Sequence, residues 1–327
     1  MSRPPVPESW SRGCAFLGTR HAILGGAMSW LSEHNLVAAI SNAGGFGVLA
    51  GGGMSTDLLR QEIRATRERT AEPFGVNLIL MHPELPELVQ MVVEEGVGHC
   101  FLAAGLPDQE TITTLKDAGV KVVAFAPSLA LGQRLIRRGV DALIVEGHEA
   151  GGHVGPVATG VLIQEIVQQI DTVPVFVAGG IANGAMVASL VEMGAAGCQL
   201  GTRFVCAAEC IAHDNFKQAF IRAQSRDAVV TVQFDPILPV IPVRALANKG
   251  TALFNEKQWQ LIEEVRAGRK ERKDAQLELE RFWVGALRRA AIEGDVEYGS
   301  VMAGQSVGLV RSIQPVQEIM HELVSHL

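Results

Sequence analysis

The chain has 327 residues, 48% of them apolar, with a formal charge of −7. That length can bury one large core, the composition is too apolar for a disordered polymer, and the acidic balance excludes a broad basic nucleic-acid surface. No stretch approaches the roughly 20 apolar residues of a membrane span, and the opening MSRPPVPESW lacks the basic-then-apolar order of a secretory signal.

In chain order, eight short runs rich in Val, Ile and Leu read as strands: HAILGG (21–26), GFGVLAGG (45–52), FGVNLIL (74–80), HCFLAA (99–104), VKVVAFAP (120–127), VDALIVEG (140–147), VPVFVAGG (173–180) and AAGCQLGT (195–202). Each is apolar throughout, as in strands of a parallel sheet buried on both faces. Amphipathic segments lie between them, and several end in Gly just before the next strand (EEG, DAG, RRG, EMG), a helix C-cap signal. Strict alternation implies βαβ units. Eight units in about 200 residues predict a TIM (β/α)8 barrel rather than an open sheet.

After residue 210 the rhythm stops. FDPILPVIPV (234–243) has too many prolines for an interior strand or a helix. A charged helical pattern runs over 255–294, and its basic run RAGRKERKD (266–274) reads as a solvated face. The stretch EYGSVMAGQSVGLV (297–310) has small residues and Gly where a returning tail is expected to cross a bound cofactor. The expected organisation is a barrel over 1–210, a helical insertion after strand 8 over 211–295, and a C-terminal return over 296–327. Five cysteines form no CxxC pair and no zinc spacing, which suggests reduced thiols and a cytoplasmic protein, with Cys198 a core thiol.

In such barrels the loops after the strands build the active site. AGGIANG (178–184) and QLGTRF (199–204) follow the seventh and eighth strands. Their glycine amides beside helix starts predict a phosphate site at Gly179, Gly180, Gly201 and Thr202. Ala27, Met28, Asn77 and Glu146 then line the mouth, Asn77 being a polar side chain in an apolar strand that needs a partner.

VEGHEAGGHVGP (145–156) puts two histidines and two carboxylates in twelve positions. A metal reading would use Glu146, His148, Glu149 and His153, but their spacing through glycines fixes no coordination geometry, and no metal is expected. A phosphate cradle would leave His153 idle. A catalytic loop fits best: Gly151 and Gly152 let the backbone approach a flat ring, and His153 is delivered over it for proton transfer. His148 is expected to be structural.

EGHEAGGHVG, PFGVNLIL, AGGIANG, QLGTRFV and GSVMAGQSVGLV, in this order over nearly the whole chain, resemble the FMN-dependent nitronate monooxygenase (2-nitropropane dioxygenase) family. That family includes the type II enoyl-acyl-carrier-protein reductases. The resemblance implies FMN, with its phosphate at the AGG turn (Ala178, Gly179, Gly180) and the LGT turn (Leu200, Gly201, Thr202). It also implies flavin contacts at Asn77, Glu146, Gly151 and Gln199, ring-lining at Met28 and Met302, and a catalytic His153. The chain departs from the family pattern at Gly25, where many members have Gln, and at Ala27, where Gly is usual.

The leading expectation is oxidation of alkyl nitronates with O2 to carbonyl compounds and nitrite. The alternative is reduction of an enoyl thioester, which adds NAD(P)H as co-substrate. A non-redox barrel enzyme acting on a phosphorylated metabolite would commonly place a Lys at the mouth, and no predicted strand ends in one. A small-molecule substrate is expected in each case, no nucleic-acid or membrane partner in any, and a homodimer is allowed.

Overall fold

A computed structural model describes residues 7–239 and 242–327, without the side chains of residues 280 and 284; the centre of the 234–243 stretch and the first six residues lie outside it. Among the described residues run eleven strands: β1 Ile23–Gly25, β2 Gly47–Ala50, β3 Phe74–Ile79, β4 His99–Ala103, β5 Lys121–Phe125, β6 Ala142–Glu146, β7 Gly152–His153, β8 Val175–Ala178, β9 Gly197–Leu200, β10 Ala228–Val230 and β11 Val243–Leu246. The α-helices are α1 Glu8–Leu17, α2 His34–Asn42, α3 Thr56–Arg69, α4 Leu85–Glu94, α5 Gln109–Asp117, α6 Leu129–Arg137, α7 Thr159–Val167, α8 Gly184–Glu192, α9 Thr202–Val205, α10 Asp214–Arg222, α11 Lys249–Arg266, α12 Arg272–Ala291 and α13 Val316–Leu323.

Eight of the strands form one parallel sheet in the order β1-β9-β8-β6-β5-β4-β3-β2. Phe46, just before β2, meets Leu24 of β1 in a parallel bridge. Gly25 N donates to Phe46 O at 2.9 Å and Phe46 N to Ile23 O at 2.8 Å, which closes the barrel. All eight predicted strands are present, and the TIM-barrel expectation holds. Helix starts follow sequence logic: Ser55, Asp108, Ser128 and Asn183 each accept a hydrogen bond from a first-turn N–H of α3, α5, α6 and α8. Helix ends do too, because Gly96, Gly119, Gly139 and Gly194 all take the left-handed conformation that lets a helix stop and turn.

The floor of the barrel is aromatic. Phe46 packs edge-on against His99, with ring centroids 4.8 Å apart. The Phe16 carbonyl at the end of α1 accepts from His99 Nε2 at 3.0 Å and from Lys121 Nζ. Burial holds His99 down to about 4, so it is a neutral core group. Cys14 is half-buried and the other four cysteines are buried, with no disulfide among them. Burial pushes the thiols of Cys100, Cys198 and Cys206 up to about 12 and that of Cys210 up to about 11, so these four are chemically quiet. Among the described residues no helix is long and apolar enough to cross a membrane.

The insertion has its own small core of Leu238, Val243, Phe254, Leu261, Ile262, Ala275, Leu279 and Trp283. The 255–294 pattern is two helices, because Gly268 takes a left-handed turn (φ +65°) between α11 and α12. That reversal lets Phe254 meet Trp283 at a 4.2 Å centroid distance. Besides its helices the insertion supplies two strands. β10, β11 and β7 form an antiparallel sheet in the order β10-β11-β7, with Val243 opposite His153 and Arg244 opposite Gly152. β11 begins immediately after Pro242, so the prolines end where its ladder starts. The chain then returns, burying Val301, Ala303, Val307, Ile319 and Met320 in the main core.

Candidate active site at the barrel mouth

Glu146, Ala178 and Gln199 stand side by side at the C-terminal ends of three adjacent strands, since Glu146 pairs with Ala178 and Ala178 with Gln199. Leu200 is the last residue of β9, next to Gly25 of β1. Gly179 and Gly180 follow β8 with φ of +96° and +74°, a turn that a side chain would strain. A Cβ on Gly179 would sit 2.9 Å from the Gly147 carbonyl, and one on Gly201 would sit 3.5 Å from Met28 Sδ. The turns after β8 and β9 are therefore neighbours on the rim, the phosphate position of the fold, with Met28 against the second of them. Met28 N donates to Ser32 Oγ at 2.9 Å, which holds the segment from Ala27 onward in place.

The loop after β6 is held from several directions. Thr159 N donates to Glu149 Oε2 at 2.8 Å, and the Thr159 hydroxyl lies 2.9 Å from that oxygen and 3.1 Å from the Gly179 carbonyl. The Glu149 carbonyl accepts from Gln305 N at 2.9 Å. Gly304 N donates to Thr202 Oγ1 at 2.9 Å. With its oxygen accepting there, the Thr202 hydroxyl keeps its proton to donate elsewhere. Gly151 lies against the returning tail, where a Cβ would come within 2.5 Å of Gly304 N. A Cβ on Gly152 would sit 3.7 Å from Met302 Sδ.

Gly151, Gly152, Met302 and Thr202 are thus one packed group, tied to Met28 through Gly201. His153 follows on β7 with an exposed side chain. Asn77 is buried on the opposite arc of the barrel, its Nδ2 donating to the Phe101 carbonyl at 3.0 Å.

The loop's other polar residues are spent on structure. His148 Nδ1 is 2.8 Å from the Gly155 carbonyl. Among the described residues the group with metal-ligand geometry is Glu33, His34 and Glu62, at the start of α2. Its carboxylate oxygens already accept from the N–H groups of His34, Asn35 and Leu36.

Glu146 is surrounded by protein although its side chain keeps some contact with the mouth. Burial pushes its carboxyl up to about 8. A raised carboxyl binds its proton more tightly in the folded than in the unfolded chain. Stability is therefore full below the unfolded value near 4.5 and falls as pH rises towards about 8. In the flavin-free protein, Glu146→Gln is expected to match wild type at pH 4 and to exceed it by about 2–4 kcal/mol at pH 9. Urea titrations at the two pH values check this; an equal offset at both would leave the carboxyl unperturbed.

Two residues of the site carry no sequence signal of their own. Arg244 is buried and reaches from β11 to the loop through the His148 carbonyl. Thr159 starts α7 and fixes Glu149. Their parts emerge from tertiary pairing, and only the Glu149–Thr159 distance across a glycine-rich loop hints at a reciprocal tie.

The nitronate monooxygenase family model matches residues 11–90 and 85–326. The chain belongs to the nitronate monooxygenase family. This is an oxidoreductase family, and the chain is an enzyme of that kind. It is 29% identical to a Rhodococcus jostii protein named (3aS,4S,5R,7aS)-5-hydroxy-7a-methyl-1-oxo-octahydro-1H-indene-4-carboxyl-CoA dehydrogenase, over 94% of this chain and 93% of that one. It is 28% identical to the nitronate monooxygenase of Paraburkholderia phytofirmans, over 95% and 93%. Among solved structures, FabK from Thermotoga maritima superposes with a TM-score of 0.86 and 38% identity, covering 96% of this chain and 95% of that one. The nitroalkane oxidase of Streptomyces ansochromogenes gives 0.77 and 25%, covering 94% and 96%.

Proposed function

We propose that this family member is an FMN-dependent reductase of enoyl thioesters that draws its electrons from a nicotinamide. The observation that carries the substrate class is the contrast between the two solved relatives, 38% identity to FabK against 25% to the nitroalkane oxidase. The Rhodococcus relative, whose name is that of a carboxyl-CoA dehydrogenase, points to a thioester as well. Nitronate oxidation with O2 remains the second reading, favoured by the family model and by the Paraburkholderia relative.

The mouth fits FMN by a simple test. Its two turns are built from glycines whose amides no side chain of their own covers, a Cβ on Gly179 would meet the Gly147 carbonyl, and Thr202 keeps a hydroxyl proton to donate. Gly179, Gly180, Gly201 and Thr202 would hold the phosphate, with Ala178 and Leu200 supplying the strand ends behind them. Asn77, Glu146 and Gln199 would face the polar edge of the ring, and Ala27, Met28, Gly151, Gly152 and Met302 its surface.

Bound FMN supplies hydride chemistry that no side chain can perform. Glu146, protonated at neutral pH, acts as a hydrogen-bond donor. Gly151 and Gly152, having no side chains, would let main chain lie close to the ring. His153 would donate a hydrogen bond to the thioester carbonyl oxygen, where negative charge gathers when the conjugated double bond is reduced.

Anaerobic mixing separates the two readings. NADPH or NADH is expected to bleach the flavin absorbance, and crotonyl-CoA to restore it. Bleaching by an alkyl nitronate alone, with no response to either nicotinamide, would assign the enzyme to nitronate oxidation.

A further inference from the structure

A buried arginine joins the insertion to the loop that carries His153. Arg244 stands in the middle of β11, 3% exposed. Its Nη1 donates to the Ala228 carbonyl of β10 at 2.6 Å, while Nε and Nη2 donate to the His148 carbonyl at 3.2 and 3.0 Å. The same residue pairs through its backbone with Gly152, its predecessor Val243 pairs with His153, and Val154 N donates to the Pro242 carbonyl at 3.0 Å. The Glu149 carboxylate supplies a countercharge that offsets part of the guanidinium's burial. Ties from Thr159, Gln305 and Gly304 hold Glu149 and its barrel side, and His148 is tied within the loop to Gly155 and Val157. On the insertion side, Arg244 provides a buried side-chain anchor.

We infer that Arg244 is a positioning residue: by gripping the His148 and Ala228 carbonyls together, it sets Gly152 and His153 over the barrel mouth without itself touching substrate. Two carbonyls at the two ends of a planar fork need a guanidinium. One ammonium holds a single point and leaves the other carbonyl buried without its partner. Insertion and loop then move as one piece, and the placement of His153 depends on the strand that the insertion contributes.

The turnover consequence rests on the reductase reading; the loop consequence does not. Amide hydrogen exchange on the full-length protein reads the loop directly. In Arg244→Gln, exchange over Gly152–Val154 is expected to rise about 10-fold or more, from loss of charge-assisted hydrogen bonds. Exchange in β3 to β6 is expected to stay unchanged. Arg244→Lys should give an intermediate loop. Arg266→Ala, which breaks the exposed Arg266–Asp235 pair of the insertion, should change neither region.

In crotonyl-CoA turnover, Arg244→Gln is expected to lower kcat by about 10- to 100-fold with KM little altered, as displacement of one catalytic group does. Unchanged exchange over Gly152–Val154 would overturn the proposal, and so would acceleration that spreads equally into the barrel strands, since Arg244 would then be an ordinary core prop. A wild-type protein that does not turn over the thioester removes the reductase reading, while the exchange result still decides the role of Arg244.

Discussion

Replacing His153 with alanine is expected to lower turnover by about 10²-fold or more while FMN stays bound, the scale for losing one positioned acid–base group. The separation of the two effects follows from where the residue sits. His153 holds its place in β7 through backbone pairing with Val243, and neither that pairing nor the Val154–Pro242 hydrogen bond uses the imidazole. The side chain is exposed, so its removal opens no cavity in either core. Turnover and flavin absorbance measured on one preparation check the prediction. Unaltered turnover would remove His153 from the chemistry, and loss of flavin would make it a binding residue.

Gly151→Ala should produce the opposite pattern, a structural effect first. A Cβ there would stand 2.5 Å from Gly304 N and 2.7 Å from the Ala303 carbonyl carbon, both main-chain atoms that cannot rotate away. Loop and tail must separate, at a cost of about 1–3 kcal/mol for overpacking. The Gln305–Glu149 hydrogen bond, which lies across that contact, is expected to lengthen with it, and the neighbouring Gly304–Thr202 bond to be disturbed as Gly304 shifts. FMN affinity should fall by about 10²-fold, equivalent to roughly 3 kcal/mol. Gly160→Ala, in the first turn of α7, is the comparison: its Cβ would meet nothing within 4 Å, and stability is expected to stay level or rise by up to about 0.5 kcal/mol. Urea midpoints and fluorescence titration with FMN measure both. A Gly151→Ala protein as stable and as tightly binding as wild type would mean that the loop and tail are not held in contact.

The barrel was legible because its signals are local. A strand buried on both faces must be apolar at every position, and a helix that ends before a strand needs a residue tolerant of the left-handed conformation; Val175–Ala178 and Gly194 show the two rules one unit apart. The glycine turns after β8 and β9 were legible for the same reason, since Gly179, Gly180, Gly201 and Thr202 sit where strand meets helix. β7 and β11 were not. A two-residue strand has no period, and Val243–Leu246 becomes a strand because β10 and the loop after β6 offer it an edge on each side. Arg244 went unnoticed with it, because its value lies in two carbonyls contributed by residues 16 and 96 positions away. Asn77 shows a further limit: the need of a buried amide for a partner is readable, but the Phe101 carbonyl that meets part of it belongs to the next strand.

The account stands on a flavin held at the mouth of this barrel, and the visible spectrum of the purified protein tests that most directly. The protein is expected to be yellow, to release about one FMN per chain on denaturation, and to take FMN up again when stripped. A colourless protein that added FMN neither colours nor stabilises against heat would contradict it.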